Sequence, residues 1–137
     1  MNIPTNKKSI ILVVDDEPDI TSTLKMSLED NGFIVHAFNN PILALENFRK
    51  RLYDLLILDI KMPKMNGFQL YTKIKNIDNK VKVCFLTALS ELHEYEQFRK
   101  EVFPKASERH FIQKPIRNED MVTRVKEILI TRKELLE

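Results

Sequence analysis

Short apolar runs alternate with longer segments of helical periodicity along the whole chain, and this alternation restricts the folds that it can adopt. The first run, Ser9 to Val14, is too short for a buried helix and rich enough in Ile and Val for a central strand. In the next segment, Pro18 to Asp30, apolar residues recur at Ile20, Leu24 and Leu28, which is the spacing of one helix face. The sequence therefore begins with a predicted strand followed by a predicted helix.

The same pair of patterns occurs four more times. Further strands are predicted at Phe33–Phe38, Leu55–Leu58, Val81–Leu86 and His110–Gln113. The helices that follow them carry apolar residues at Ile42, Leu45, Phe48 and Leu52; at Leu70, Ile74 and Ile77; at Leu92, Tyr95, Phe98 and Val102; and at Met121, Val122, Val125, Ile128 and Leu129. Parallel strands need crossover connections, so five strand–helix pairs predict an α/β fold, a parallel sheet with helices on both faces.

Length and composition limit what else the chain can be. Its 137 residues, 43% of them hydrophobic, favour a single domain over residues 1–137, with a core of about residues 8–133. One helix and a charged end follow residue 116, so we expect output by partner binding unless the chain is a fragment of a longer protein. The formal net charge is only +2, so we expect no direct binding of nucleic acid. No apolar stretch approaches the roughly 20 residues that span a bilayer. The single cysteine, Cys84, lies in an apolar run and predicts a core thiol in a cytoplasmic protein.

Charged and hydroxyl side chains come directly after four of the predicted strands. Asp15 and Asp16 follow the first, Asp59 the third, Thr87 the fourth and Lys114 the fifth. Taken singly, each has an ordinary explanation, since acids cap helices and lysines are usually solvated. Ligands of open α/β sheets bind at the carboxyl ends of the strands, so the four ends together predict one site.

The residue types at this site favour a particular chemistry. Several carboxylates within reach of one another repel, and a cation would make their charges tolerable at neutral pH. Oxygen ligands favour a hard ion, and Mg²⁺ combines a few carboxylates with waters and phosphoryl oxygens. Such a metal could hold a phosphoryl donor against a carboxylate nucleophile, while a lysine and a hydroxyl stabilise the transferring oxygens.

Four segments of the sequence resemble the response-regulator receiver domains of two-component signalling, including the chemotaxis regulators. They are "ILVVDDEPDI", "LLILDIKMPKMNGFQL", "VCFLTALS" and "FIQKPI", and the resemblance covers nearly the whole chain. It implies a flavodoxin-like, doubly wound sheet of five parallel strands in the order 2-1-3-4-5, flanked by five helices. It also implies a signalling protein and not an enzyme.

The resemblance further implies a role for each residue of the predicted site. Asp59 matches the phosphoacceptor, and Asp15 and Asp16 match the acidic pair that binds Mg²⁺ together with Asp59 and the backbone carbonyl of Lys61. Lys114 matches the lysine that pairs with the phosphoryl group.

Five further positions match the family's switch and its loops. Thr87 matches the hydroxyl residue that moves towards the phosphoryl group, and Phe111 the aromatic residue that swings inward when the threonine moves. Pro115 matches a proline that is typically cis. Pro63 and Gly67 match the loop after the acceptor, where glycine permits a tight backbone.

The implied partners are a histidine kinase or a histidine phosphotransfer protein as donor. A downstream protein is expected to bind the face formed by the fourth helix, fifth strand and fifth helix, with the domain a monomer or a weak phosphorylation-dependent dimer. In this chain the segment between Thr87 and Lys114 is a few residues longer than usual, and we expect Pro104 to end its helix.

Two other functions are compatible with parts of the pattern. A phosphohydrolase of the haloacid-dehalogenase type also uses Asp, Mg²⁺, Thr and Lys, but it needs Asp-x-Asp after the first strand, where this chain has adjacent acids at Asp15 and Asp16. A phosphorylation-independent interaction module would keep the fold alone. The retention of every chemical position disfavours that second alternative.

Overall fold

The computed structural model describes residues 7–102, 104–105 and 110–130. Within them the chain forms one sheet of five parallel strands, in the order β2-β1-β3-β4-β5. The strands are β1 (Ile10–Val14), β2 (Ile34–Phe38), β3 (Leu55–Asp59), β4 (Lys82–Thr87) and β5 (Phe111–Gln113). The predicted fold class and strand order are confirmed.

Helices connect the strands and cover both faces of the sheet. They are α1 (Pro18–Asp30), α2 (Pro41–Asn47), α3 (Gly67–Ile77), α4 (Leu89–Glu94), α5 (Glu96–Val102) and α6 (Asn118–Leu129). The predicted fourth helix is thus two segments, α4 and α5, which are separated at Tyr95, and the predicted fifth helix is α6. The last residue of α5 lies two positions before Pro104.

One predicted helix is shorter than its apolar pattern suggested. The pattern of α2 continued through Phe48 to Leu52, but Phe48 has an extended backbone with ψ of 135° and ends the helix. Both side chains still pack against the core next to the helix. Burial, and not helical structure, therefore explains their spacing.

The strands send alternate side chains into two separate cores, as expected for a sheet covered on both faces. In β3, Leu56 and Leu58 join the core beneath α2 and α3, whereas Leu55 and Ile57 join the core beneath α1 and α6. Cys84 is fully buried in the second core, and burial raises the pKa of its thiol to about 12. The prediction of a core thiol is confirmed.

None of the helices within the described residues is long and apolar enough to span a membrane.

Candidate metal and phosphoryl-acceptor site

Parallel pairing brings the carboxyl ends of the strands to one edge of the sheet. Asp15 directly follows β1, Asp59 is the last residue of β3, Thr87 is the last residue of β4 and Lys114 directly follows β5. The register pairs Asp59 with Leu86, the neighbour of Thr87. The backbone N–H of Lys114 donates to the Thr87 carbonyl at 2.9 Å. The predicted residues of four strands therefore lie side by side.

Asp15, Asp59 and Lys114 form a buried charged cluster at this edge. The Lys114 ammonium lies 2.9 Å from Asp15 Oδ2 and 3.2 Å from Asp59 Oδ1. Asp15 is 0% exposed and Asp59 is 2% exposed, while the lysine side chain is 18% exposed. Glu17 Oε1, at 3.5 Å, is a third acidic oxygen near the same ammonium.

Local hydrogen bonds hold Asp15 in place. Its N–H donates to the Phe38 carbonyl of β2 at 3.1 Å, and its carbonyl accepts from Asn39 Nδ2 at 2.9 Å. The carboxylate Oδ1 accepts from the Glu17 N–H at 2.9 Å, which leaves Oδ2 turned towards Lys114. The acid is therefore fixed by β2 and by the chain that enters α1.

Burial and an excess of negative over positive charge shift the pKa values of the acids in this cluster. Burial raises the pKa of Asp59 to about 8, and the Asp15 charge and a hydrogen bond with Asp16 add to this effect. Burial also raises the pKa of Asp15. Burial opposes the charged form of Lys114, but its close ion pair with Asp15 and the Asp59 charge outweigh that effect and raise its pKa.

Two of the buried carboxylate oxygens fit a metal ligand set. Asp15 Oδ2 and Asp59 Oδ1 are close to Lys114 but receive no hydrogen bond of good geometry from the part of the chain that the structure describes. Ligand oxygens of Asp15, Asp16 and Glu17 lie within 4.8 Å of one another. Oxygen donors with excess negative charge are the surroundings that Mg²⁺ prefers. The donor set is therefore suited to a divalent cation.

The loop after Asp59 is held close to the end of β3. The N–H of Gly67 donates to the Ile60 carbonyl at 2.8 Å, and a Cβ on Gly67 would collide with the Asp59 carbonyl oxygen and lie 3.1 Å from its carbonyl carbon. Close approach, and not a positive φ, therefore requires this glycine. The left-handed residue of the loop is Lys64, with φ of 72°.

A capping box fixes the start of α3 in the same loop. Asn66 Oδ1 accepts from the Gln69 N–H, and Gln69 Oε1 accepts from the Asn66 N–H, both at 2.9 Å. The Lys61 ammonium, in the loop between, lies 3.6 Å from Glu94 Oε2 of α4, and both side chains are exposed to solvent. The loop is thus held at both of its ends.

Of the two switch candidates, Thr87 lies at this edge as the last residue of β4, whereas Phe111 begins β5 and pairs with Phe85 in the sheet. The hydroxyl of Thr87 is buried and donates to the carbonyl of Ala88 at 2.7 Å. The Phe111 ring is partly buried and stacks on Phe85, with ring centroids 5.7 Å apart. The Lys114–Pro115 peptide bond is cis.

Three further residues shape the site through contacts that the sequence did not predict. Glu17 approaches Lys114, and Asn39 holds the backbone of Asp15. Glu91 accepts a hydrogen bond from the N–H of Ala88 at 3.0 Å. Glu91 is the third residue of α4, and that helical position was the available signal, because acids there often bond the backbone before the helix.

Comparison with known proteins identifies the family. Residues 11–126 match the response regulator receiver domain. Among curated relatives, the transcriptional regulatory protein SrrA of Staphylococcus aureus is 35% identical over 119 residues, which are 87% of this chain and 47% of SrrA. The transcriptional regulatory protein PrrA of Mycobacterium leprae is 32% identical over 119 residues, which are 87% of this chain and 49% of PrrA. This chain spans about half the length of these relatives.

Solved structures agree with the match. The crystal structure of a response regulator receiver domain protein from Clostridium thermocellum has a TM-score of 0.74 and 31% identity, and the alignment covers 94% of this chain and 99% of that one. The fold, the edge at which the acids meet and the match over most of the chain lead to the same assignment. The chain belongs to the response regulator receiver domain family of two-component signalling.

Proposed function

We propose that Asp59 accepts a phosphoryl group from a phosphorylated histidine of a histidine kinase or a histidine phosphotransfer protein. The observation that carries this proposal is the position of Asp59, buried at the end of β3 with Lys114 3.2 Å from its carboxylate. The adjacent acids supply the ligands for a cation. The domain then acts as a switch and has no substrate that it turns over, so we expect no separate enzymatic activity.

Mg²⁺ would be held by the carboxylates of Asp15, Asp16 and Asp59 and by the backbone carbonyl of Lys61. When bound, it would neutralise charge on the donor phosphoryl oxygens and on the carboxylates. The excess negative charge at this edge supports the assignment, since one ammonium faces Asp15, Asp59 and Glu17.

In the transfer itself, a carboxylate oxygen of Asp59 attacks phosphorus, and the phosphorus–nitrogen bond to the donor histidine breaks. The bonding electron pair remains on the imidazole nitrogen of the donor. Lys114 would bind one of the transferring oxygens, and the Thr87 hydroxyl would be the neighbouring donor once it turned from Ala88. A cation also favours the ionised nucleophile, because it offsets the neighbouring negative charge that raises the Asp59 pKa.

We propose that the output is a changed protein-binding surface. Phosphorylation would reposition Thr87 and Phe111 and alter the face formed by α4, α5, β5 and α6, where a downstream protein would bind. The protein would be cytoplasmic, and it would be a monomer or a weak phosphorylation-dependent dimer. The names of the relatives describe transcriptional regulatory proteins. The comparisons therefore give no support to the expectation that nucleic acid is not bound.

Acetyl phosphate tests the acceptor chemistry. The purified protein is incubated with this donor, with and without Mg²⁺, and weighed intact by mass spectrometry beside Asp59→Asn and Asp19→Asn. Asp19 is an exposed acid in the first turn of α1 and serves as a charge-matched control. We expect a Mg²⁺-dependent gain of one phosphoryl group in the wild type and in Asp19→Asn, and none in Asp59→Asn. A wild type that gains no mass under any condition would favour the phosphorylation-independent interaction module.

A further inference from the structure

Two side-chain hydrogen bonds hold the segment Thr87–Ala88, where β4 leads into α4, and the Ala88 carbonyl also accepts from the Glu91 N–H at 3.0 Å. The Thr87 hydroxyl donates to the Ala88 carbonyl at 2.7 Å, and the Ala88 N–H donates to Glu91 Oε2 at 3.0 Å. In the first bond, the Thr87 hydroxyl already donates its proton to Ala88, so it is not available to a phosphoryl group on Asp59. The second ties the backbone next to Thr87 to the first turn of α4.

Among the described residues, the Glu91 carboxylate is the acceptor for the Ala88 N–H. Ala88 occupies the N-cap position and has no side-chain oxygen with which to cap the helix. Hydrogen bonds to an ionised acceptor are stronger than those to a neutral one. The Glu91 carboxylate is also partly buried, so its bond is less screened by water than one on an open surface. Within the described residues, the Glu91 side chain is therefore the restraint on the N–H of Ala88.

We infer that Glu91 is a positioning residue that stabilises the unphosphorylated arrangement of Thr87 and thereby opposes phosphorylation of Asp59. This inference rests on the proposed function. For the Thr87 hydroxyl to reach a phosphoryl group it must leave the Ala88 carbonyl, and the backbone must turn with it. A bond present only in the starting arrangement shifts the equilibrium away from the phosphorylated one by its own free energy. Loss of Glu91 therefore strengthens binding of a phosphoryl group at Asp59.

Beryllium fluoride with Mg²⁺ is the probe, because it imitates a phosphoryl group on a carboxylate without transfer. Titrations of the full chain followed by ¹H–¹⁵N NMR report the affinity and, separately, the amide resonance of Ala88. The variants are Glu91→Ala, which removes the acceptor, and Glu91→Gln, which retains a weaker, neutral one. Glu94→Gln is the control, since it removes a charge from the same helix, and its exposed pair with Lys61 contributes little.

We expect Glu91→Ala to bind the probe roughly three- to tenfold more tightly than the wild type, the range of one net hydrogen bond. Glu91→Gln should fall between the two, and Glu94→Gln should stay within about twofold of the wild type. The free Ala88 amide resonance should shift in both Glu91 variants and not in Glu94→Gln. Thermal unfolding confirms that each variant is folded.

Several outcomes would overturn the inference. Equal affinities for Glu91→Ala and wild type, with the Ala88 resonance shifted, would show that the bond is present in both states. Weaker binding by Glu91→Ala would mean that Glu91 supports the phosphorylated arrangement. An equal gain in affinity for the probe in Glu94→Gln would show that the effect comes from removing a negative charge from α4 and not from the bond to Ala88. If the wild type and all variants fail to bind the probe with Mg²⁺, the proposed function itself fails, and the inference fails with it.

Discussion

Asp59 ends a strand that is buried along its whole length, and its charged neighbours within the site include one ammonium and more than one acid. A carboxylate in such a place loses most of its hydration, and Asp15 repels it. Both effects favour a bound proton when no metal is present. The same features that suit Asp59 to a cation therefore make its ionised form costly in the metal-free protein.

This cost leads to a pH dependence of stability in the presence of a chelator. The pKa of Asp59 is raised from 3.8 to about 8, so between these values the folded protein holds a proton that the unfolded chain has lost. The contribution of Asp59 to the unfolding free energy must therefore fall as the pH rises through this window. A tenfold difference in proton affinity between the folded and unfolded chains corresponds to about 1.4 kcal/mol. We expect the Asp59 carboxyl to lower the unfolding free energy by at least about 1 kcal/mol across this pH range, measured by urea unfolding.

Substitution of Asp59 separates this effect from the other acids. Asp59→Asn cannot ionise, so its stability should change less across the same pH range and exceed that of the wild type at the alkaline end. Asp19→Asn removes an exposed acid and should retain the wild-type slope. A difference in stability between the wild type and Asp59→Asn that does not change from about pH 4 to about pH 8 would contradict the assignment of a raised pKa to Asp59.

At the scale of elements, the end of β3 and the start of α3 are packed backbone against backbone. Gly67→Ala would place a methyl group against the carbonyl of Asp59, and β3 or α3 would have to move. We expect a loss of about 1–3 kcal/mol of unfolding free energy, typical of an overpacked site. We also expect slower phosphorylation by acetyl phosphate, because the acceptor itself is displaced.

Gly32→Ala is the matched comparison for this glycine. Gly32 has φ of +91°, but a Cβ there would meet nothing within 4 Å. Gly32→Ala should lower the unfolding free energy by about 1–2 kcal/mol through backbone strain alone, and it should leave the phosphorylation rate unchanged. Equal rates for Gly67→Ala and wild type would show that the contact between α3 and β3 does not position Asp59.

The elements were largely predictable from sequence because apolar spacing reports burial directly. The bounds of α1 agree with the prediction. The predicted length of α2 was wrong, because Phe48 and Leu52 pack in or against the core without being part of a helix. Tyr95 likewise fits the helical spacing through its packing on the core, although it separates α4 from α5. Spacing therefore predicts which residues are buried more securely than it predicts where a helix ends.

The residues of the candidate site were also predictable, but the contacts that they make were not. The resemblance supplied Asp15, Asp59 and Lys114, and parallel strand ends explain why they meet. The bond from Glu91 to Ala88 depends on how α4 begins, and the approach of Glu17 to Lys114 depends on side-chain conformation. Neither is contained in a strand pattern.

At the scale of the whole molecule, the sheet separates two hydrophobic cores and brings its uncompensated acids to one end. The cores hold the strand ends in place, so the acids cannot move apart to relieve their repulsion. A cation that binds only the folded chain must then stabilise it by mass action. Stability and metal binding are therefore coupled through the same edge of the sheet.

Magnesium should raise the unfolding free energy of the wild type by about 2.7 kcal/mol at one hundred times its dissociation constant, and a chelator should remove the gain. Asp15→Asn/Asp16→Asn loses two of the proposed ligands, so its unfolding free energy should respond little to Mg²⁺. Without metal, it should be at least as stable as the wild type near neutral pH, because Asp59 then has fewer negative neighbours. Thermal unfolding over a series of Mg²⁺ concentrations measures both effects. An equal response to Mg²⁺ in the double variant and the wild type would place the cation elsewhere on the molecule.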